Sequence, residues 1–179
     1  PRLGHVVAAP GFRLVAAMNP FDAVGTARIS GAIYDRVCRL AVSYQSASEE
    51  AAIARRATPG DGGADLDPAW VDQVVELVRL TRSHPDIRVG SSVRGAIDMC
   101  AVAASLAELR GAVVAQPSVC LDAALVALSG RIRLREGSSR SAEEIVTELW
   151  TSVFGRAAGD GEGDGEGKGG APTGATSSR

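Results

Sequence analysis

The feature that most constrains the fold is a long stretch, residues 67–154, in which apolar residues recur at the period of an α-helix. Asp67 caps its first helix and Pro68 occupies the first turn, the order typical of a helix start. One apolar stripe follows at helical spacing: Val71, Val74, Val75 and Val78. Similar signals predict helices over residues 92–109, residues 117–128 and after a capping box at residues 141–144, with a short extended piece at residues 131–134. The sequence therefore predicts a compact domain of four short helices.

A different pattern precedes this helical stretch. Residues 12–18 are nearly all apolar, as in a strand buried on both faces, and residues 39–44 indicate another short strand. Each strand is followed by a predicted helix, one over residues 30–37 and one that opens with the capping box at residues 46–49. Alternating strands and helices are typical of a parallel α/β sheet. We therefore assign residues 1–57 to a slice of such a sheet, too small to be a complete domain.

Two segments have the composition of connecting or disordered chain. Residues 58–66 are rich in Gly, Pro and Asp and predict a linker between the α/β slice and the helical domain. Residues 155–179 alternate Gly with acidic residues and then continue with Thr, Ser and Ala. Such a segment cannot bury enough apolar area to offset about 1–2 kcal/mol of backbone entropy per residue. We expect a disordered tail there.

Composition and charge argue against several functions. Aromatic residues make up only 4% of the chain, so any core must be built from Ala, Val, Leu and Ile. The formal net charge of −2 gives no general attraction to nucleic acid or anionic membrane, and the helix predicted at residues 117–128 has no Arg or Lys to contact DNA. No apolar run approaches the roughly 20 residues of a membrane-spanning helix. The scattered thiols and imidazoles, Cys38, Cys100, Cys120, His5 and His84, have no metal-ligand spacing. We expect a soluble cytoplasmic protein without a metal site, without nucleic acid and without a membrane.

An asparagine stands directly after the first predicted strand. Ligands of parallel sheets bind at the carboxyl ends of the strands, which is where Asn19 would lie. An amide at this place can hold a water in line with a γ-phosphate, as phosphoryl transfer requires. Residues 12–20, FRLVAAMNP, resemble the AAA+ segment that ends in the first sensor residue. The alternative interpretation is that Asn19 begins an Asn-Pro turn.

A second motif follows at residues 32–37, Ala-Ile-Tyr-Asp-Arg-Val. It resembles the MoxR and dynein-related AAA+ pattern in which a helix ends in Asp-Arg-Phe, and the resemblance implies that Arg36 is an arginine finger for ATP on a neighbouring subunit. A guanidinium keeps its charge and has a fixed fork of donors, which suits charge redistributing over phosphate oxygens. The sequence departs from the family at Gly31, Ile33 and Val37, where glutamate, glutamine and phenylalanine are common. The alternative is a surface ion pair of Arg36 with Asp35 or a neighbour.

A third motif has two parts, Val-Arg-Leu-Thr-Arg at residues 78–82 and Gly-Ser-Ser-Val-Arg-Gly at residues 90–95. They resemble the MoxR lid, in which a VRxTR helix end precedes GxSxRG, and Arg94 matches the second sensor arginine. An arginine at a helix N-terminus is unfavourable for the helix dipole and therefore invites an anionic partner such as a phosphate. Later family patterns match less well, because Ser118 stands near an expected acidic residue and Gly130 replaces a histidine. The alternative is a solvent-facing arginine.

The resemblance extends over residues 1–135 with its motifs in the family's order. It implies an α/β plus all-α chain: the C-terminal slice of an AAA+ parallel-sheet domain, then a helical lid. The sequence contains no GxxxxGKS or GxxxxGKT loop, so we expect a C-terminal fragment whose parent binds ATP and Mg²⁺. The resemblance further implies a hexameric ring that remodels client proteins beside a partner with a von Willebrand factor A domain. It leaves open whether Arg94 acts within its own subunit. The competing hypothesis is a non-catalytic helical adaptor or partner-binding module.

Overall fold

The computed structural model describes residues 7–17, 31–58 and 66–159, and the chain divides into two compact units, Pro1–Val42 and Ser43–Arg179. The helices and strands in chain order are α1 Gly31–Tyr34, α2 Ala47–Ala57, α3 Pro68–Leu80, β1 Ile87–Val89, α4 Val93–Arg110, α5 Pro117–Leu128, β2 Arg133–Leu134 and α6 Ala142–Gly159. β1 and β2 pair as a small antiparallel sheet. The described part of the protein is thus mostly helical.

The first unit contains α1 but none of the predicted strands among its described residues. Residues 12–17 and 38–42 run without strand pairing, and Leu14, Val15, Leu40 and Val42 are 83%, 92%, 86% and 86% exposed. A strand needs a paired neighbour and a covered face to be stable in water. No described residue provides either to these segments. The predicted strands at residues 12–18 and 39–44 are therefore not observed in the described residues, and no parallel sheet is formed there.

The helices of the second unit begin where the sequence predicts them. Asp67 caps α3 by accepting a hydrogen bond from the amide of Ala69 at 3.0 Å. Both capping boxes form: the hydroxyls of Ser46 and Ser141 accept from the amides three residues later, and the Glu side chains at those positions accept from the Ser amides. Gly111 ends α4 with a positive φ of 58°, which glycine adopts without strain. The prediction of four helices from residue 67 onward is confirmed.

The core of this unit is aliphatic and built around α4. α4 packs against α2, α3 and α5, and α6 packs against α3 and α5. The four valines of the predicted stripe on α3 are all buried. Where α4 and α5 face each other, the buried residues include several alanines, whose small side chains let two helices approach closely: Ala96, Ala103, Ala123, Ala124 and Ala127. The expected Ala-, Val-, Leu- and Ile-rich core is confirmed.

Two boundaries differ from those drawn from the sequence. α2 packs against α3 and α4 and lies in the unit that begins at Ser43, whereas its sequence position grouped it with residues 1–57. α6 continues to Gly159, so residues 155–159 are helical rather than part of a disordered tail. Ala157 and Ala158 favour this extension because alanine has the highest helix propensity. Of the predicted linker at residues 58–66, residues 59–65 lie outside the described residues, as does the rest of the tail, residues 160–179.

The cysteines are free thiols, as the sequence suggests. Cys38 is exposed, whereas Cys100 and Cys120 are buried. Burial raises the pKa of Cys100 to about 11 and also raises the pKa of Cys120. Within residues 31–58 and 66–159, no helix combines the length and apolarity needed to cross a membrane.

The close approach of α4 and α5 gives a first prediction. A Cβ at Gly95 would overlap the Ser91 hydroxyl and lie 2.8 Å from Leu128 Cδ2, whereas one at Gly155 on α6 meets only ordinary contact at 3.5 Å. We expect Gly95→Ala to lower the free energy of unfolding by about 1–3 kcal/mol through overpacking. Gly155→Ala should leave it unchanged or raise it by up to about 1 kcal/mol. Urea unfolding followed by circular dichroism measures both, and equal stability of the two variants would contradict the packing argument.

Candidate functional site at the turn between α3 and α4

The two parts of the third motif are separated in sequence by residues 83–89, which include β1, and they contact each other in the structure. The Ser91 amide donates to Thr81 Oγ1 at 2.9 Å, and Arg82 Nε donates to the Ser91 carbonyl at 2.8 Å. Gly90 lies against the backbone of Arg82, where a Cβ would stand only 2.7 Å from the Arg82 Cα. Only glycine fits at this approach. We refer to residues 79–82 and 90–94 together as the arginine turn.

The buried carboxylate of Glu50, on α2, pairs with both arginines of the first segment of the arginine turn. Glu50 is 1% exposed. Its Oε1 accepts from Arg82 Nη2 at 2.8 Å, and its Oε2 accepts from Arg82 Nη1 at 3.2 Å and from Arg79 Nη1 at 3.0 Å. The Arg82 pairing is bidentate, the strongest geometry available between a guanidinium and a carboxylate. Two positive charges thus face one negative charge, and the cluster keeps a surplus of one positive charge.

The segment that leads into α2 completes the cluster. The Arg82 guanidinium carbon lies 3.9 Å from the centre of the Tyr44 ring, a cation–π contact. Arg79 Nη1 also donates to the Gln45 carbonyl at 3.1 Å. The same two arginines, Arg79 and Arg82, therefore connect the segment that enters α2 with the turn between α3 and α4.

Arg94 lies at the open end of the arginine turn. Ser92 caps α4, accepting from the Arg94 amide at 3.4 Å with its side chain and from the Gly95 amide at 2.9 Å with its carbonyl. The Arg94 side chain is exposed, and no carboxylate of the described residues lies within ion-pair distance of it. Arg110, at the other end of the same helix, pairs with Asp122 at 2.7 Å. Among the described residues, Arg94 is thus a cation without a carboxylate partner, at a helix end where the α4 dipole favours an anion.

The other two predicted site residues lie in the first unit. Arg36 follows α1 in a turn and is exposed, and its Nη1 donates to the Ala32 carbonyl at 2.6 Å. It forms no ion pair with Asp35 or with any other carboxylate of the described residues, so the surface ion-pair interpretation gains no support. Asn19 lies outside the described residues.

Sequence reasoning missed Glu50 and Tyr44, and it gave Arg79 and Arg82 no role beyond the motif. The available signal was weak: Glu50 shares a helix face with the buried Ala54, so a carboxylate stands on an apolar face. A buried carboxylate requires a cationic partner. Nothing local indicates which arginine supplies it, because the partners lie 29 and 32 residues away.

Other chemistries have less support in this part of the protein. Among the described residues, no group of three His, Cys, Asp or Glu side chains could hold a metal ion. α5, the helix considered for DNA, has no basic residue in its sequence. No protein-family model, no curated protein and no solved structure matches the chain.

The contact between Thr81 and Ser91 gives a second prediction. Thr81 is fully buried, and its Oγ1 is the acceptor for the Ser91 amide, which is buried with it. Thr81→Val keeps the shape but leaves that amide without an acceptor, which should cost about 1–3 kcal/mol of unfolding free energy. Thr81→Ser keeps the hydroxyl and loses one methyl group, at about 1 kcal/mol or less. Chemical unfolding of the two variants distinguishes them, and a valine variant as stable as the serine variant would show that the bond contributes nothing.

Proposed function

We propose that this chain is the C-terminal part of an ATP-hydrolysing AAA+ protein of the MoxR type, in which Arg94 and Arg36 contact ATP phosphates and Asn19 positions the attacking water. The observation that carries the proposal is Arg94: an exposed arginine without a carboxylate partner among the described residues, on a turn that two parts of the resemblance build together. An external anion is a partner that a cation at a helix N-terminus can bind.

The chemistry of phosphoryl transfer fits these residues. Catalysis of this reaction depends on positioning and on stabilising the charge of the transferred phosphoryl group. Exposed guanidinium groups can provide that stabilisation, and both Arg36 and Arg94 are exposed. The chain's own sequence contains no phosphate-binding loop and no acidic Mg²⁺ segment. The proposal therefore includes a longer parent protein that supplies these parts together with ATP and Mg²⁺.

The helical half of the proposal agrees with the observed fold, whereas the sheet half needs partner strands that the described residues do not provide. The helical unit from Ser43 onward has the form of a small helical domain and would be the lid. The first unit leaves apolar side chains of residues 12–15 and 40–42 in water, which is unfavourable for an isolated body and suits segments that pair with further strands. We accordingly place residues 1–42 at the end of an AAA+ sheet.

The wider assignment rests on the resemblance. In the proposed parent, subunits form a hexameric ring in the cytoplasm, and ATP hydrolysis drives the remodelling of a client protein. A protein with a von Willebrand factor A domain would act beside it. These statements are expectations about the parent and require the whole protein for their test.

A second candidate is a non-catalytic adaptor. The observation that favours it is a groove between α4 and α5, lined by Asp98, Ala101, Val102, Val126, Ala127, Gly130 and Arg131. Val126 is 68% exposed there. An adaptor would bind its partner through this groove without using Arg94, so the two candidates differ in which residues matter.

The test of the proposed function uses the parent protein with single arginine substitutions. We expect Arg36→Ala to lower the turnover of ATP by roughly 10³-fold while sparing nucleotide affinity, because the arginine acts on charge in the transition state. Lysine at position 36 should restore little, since it lacks the planar fork. Arg94→Ala should also lower turnover, whereas Arg110→Ala, on the same helix but paired with Asp122, should not. Steady-state phosphate release measures all of these.

Mixed rings show where Arg36 acts. Subunits carrying Arg36→Ala are combined with subunits that cannot bind ATP, so that some interfaces pair an intact Arg36 with an intact nucleotide site. Recovered hydrolysis places the arginine across the interface. Full activity of both Arg36→Ala and Arg94→Ala would contradict the roles proposed for these arginines, whereas a parent that does not hydrolyse ATP would contradict the enzyme assignment and favour the adaptor.

A further inference from the structure

We propose that Glu50 and Arg82 are positioning residues that set the start of α4, and therefore the place of Arg94. Glu50 fixes the Arg82 guanidinium from α2, and Arg82 in turn fixes the Ser91 carbonyl, three residues before Arg94. The consequence for catalysis rests on the proposed function. The geometric part concerns the chain alone.

The shape of the Arg82 guanidinium explains how Glu50 fixes the position of the Ser91 carbonyl. Its five N–H donors lie in one plane in a fixed fork. Two of its nitrogens, Nη1 and Nη2, are held by the Glu50 carboxylate at 3.2 and 2.8 Å, so the direction of the Nε–H toward Ser91 is no longer free. Tyr44 covers one face of the same plane at 3.9 Å. A lysine could satisfy the carboxylate or the carbonyl, but not both with fixed geometry.

Burying the Glu50 carboxylate is costly, which indicates that the cluster positions chain segments rather than adding stability. A buried ion pair is often no more stabilising than apolar side chains of equal volume, because both charges lose their hydration. The same carboxylate serves two arginines with different targets: Arg79 reaches the Gln45 carbonyl, and Arg82 reaches the Ser91 carbonyl. Of these two arginines, only Arg82 connects Glu50 to residues 90–94, the second segment of the arginine turn. Arg79 is therefore a matched control that shares the charge partner and lacks the contact to Ser91.

The first experiment measures amide hydrogen exchange of the chain by nuclear magnetic resonance, without nucleotide. Arg82→Lys keeps the charge opposite Glu50 and should speed exchange of the Ser91 amide by about tenfold, because a charge-assisted bond that orders the turn is lost. Arg79→Lys should leave the Ser91 amide within about twofold. The amide of the buried Met99 on α4 reports global opening. An unchanged Ser91 amide in Arg82→Lys, or an equal rise at Ser91 and Met99, overturns the proposal.

A second variant keeps the experiment decisive if Arg82→Lys does not fold. Glu50→Asp retains the charge but withdraws the carboxylate by one methylene, so it releases the same guanidinium. It should speed exchange at Ser91 in the same way, and normal exchange at Ser91 overturns the proposal.

The third experiment uses the parent ATPase and a double-mutant cycle. Arg82→Lys should lower kcat by about tenfold when Arg94 is present, with a much smaller change in KM, and by less than twofold in the Arg94→Ala background. Additive losses would show a general structural effect and overturn the catalytic part. If Arg94→Ala alone retains full activity, the proposed role of Arg94 is wrong, while the exchange experiment still decides whether Glu50 and Arg82 position the turn.

Discussion

A charged carboxylate that is 1% exposed loses its hydration and is stabilised when its charge is matched. Glu50 meets this condition with two arginines at the C-terminal end of α3. The pairing joins three pieces of chain that local signals alone would leave independent: the segment entering α2, the end of α3 and the start of α4. The rigid guanidinium of Arg82, at the end of α3, contacts Tyr44, Glu50 and Ser91. A displacement of any of the three pieces therefore breaks bonds to the others. The orientation of α4's first turn thus depends on a residue of α2.

The charge balance of this cluster bears on what the site can bind. Two guanidinium groups and one carboxylate leave a positive surplus, and Arg94 and the N-terminal end of α4 add to the same sign. An anion bound at Arg94 would reduce this positive surplus. The same charges favour an anion over a cation at this place.

The helices could be predicted because their signals are local. Capping boxes, the Asp67–Pro68 start, the valine stripe and Gly111 act within one or two turns, and each was found where the sequence indicates. The placement of α2 could not be predicted, since it depends on Glu50 meeting arginines 29 and 32 residues away. The motif Val-Arg-Leu-Thr-Arg contains both arginines, but nothing in it indicates that they pair with Glu50. The strands were expected from apolar runs alone, and an apolar run says nothing about whether a pairing strand is present.

The two units differ in how their geometry is determined. The core of the helical unit consists of its own residues, from Ala51 on α2 to Val153 on α6, so the position of Arg94 follows from interactions inside that unit. In the first unit, α1 has only four residues and the apolar side chains of residues 12–15 and 40–42 face water. A helix this short is not stable by itself, and its arrangement depends on whatever covers those side chains. The backbone position of Arg94 is therefore set inside its own unit, whereas under the proposed function that of Arg36 would be completed by association with further strands.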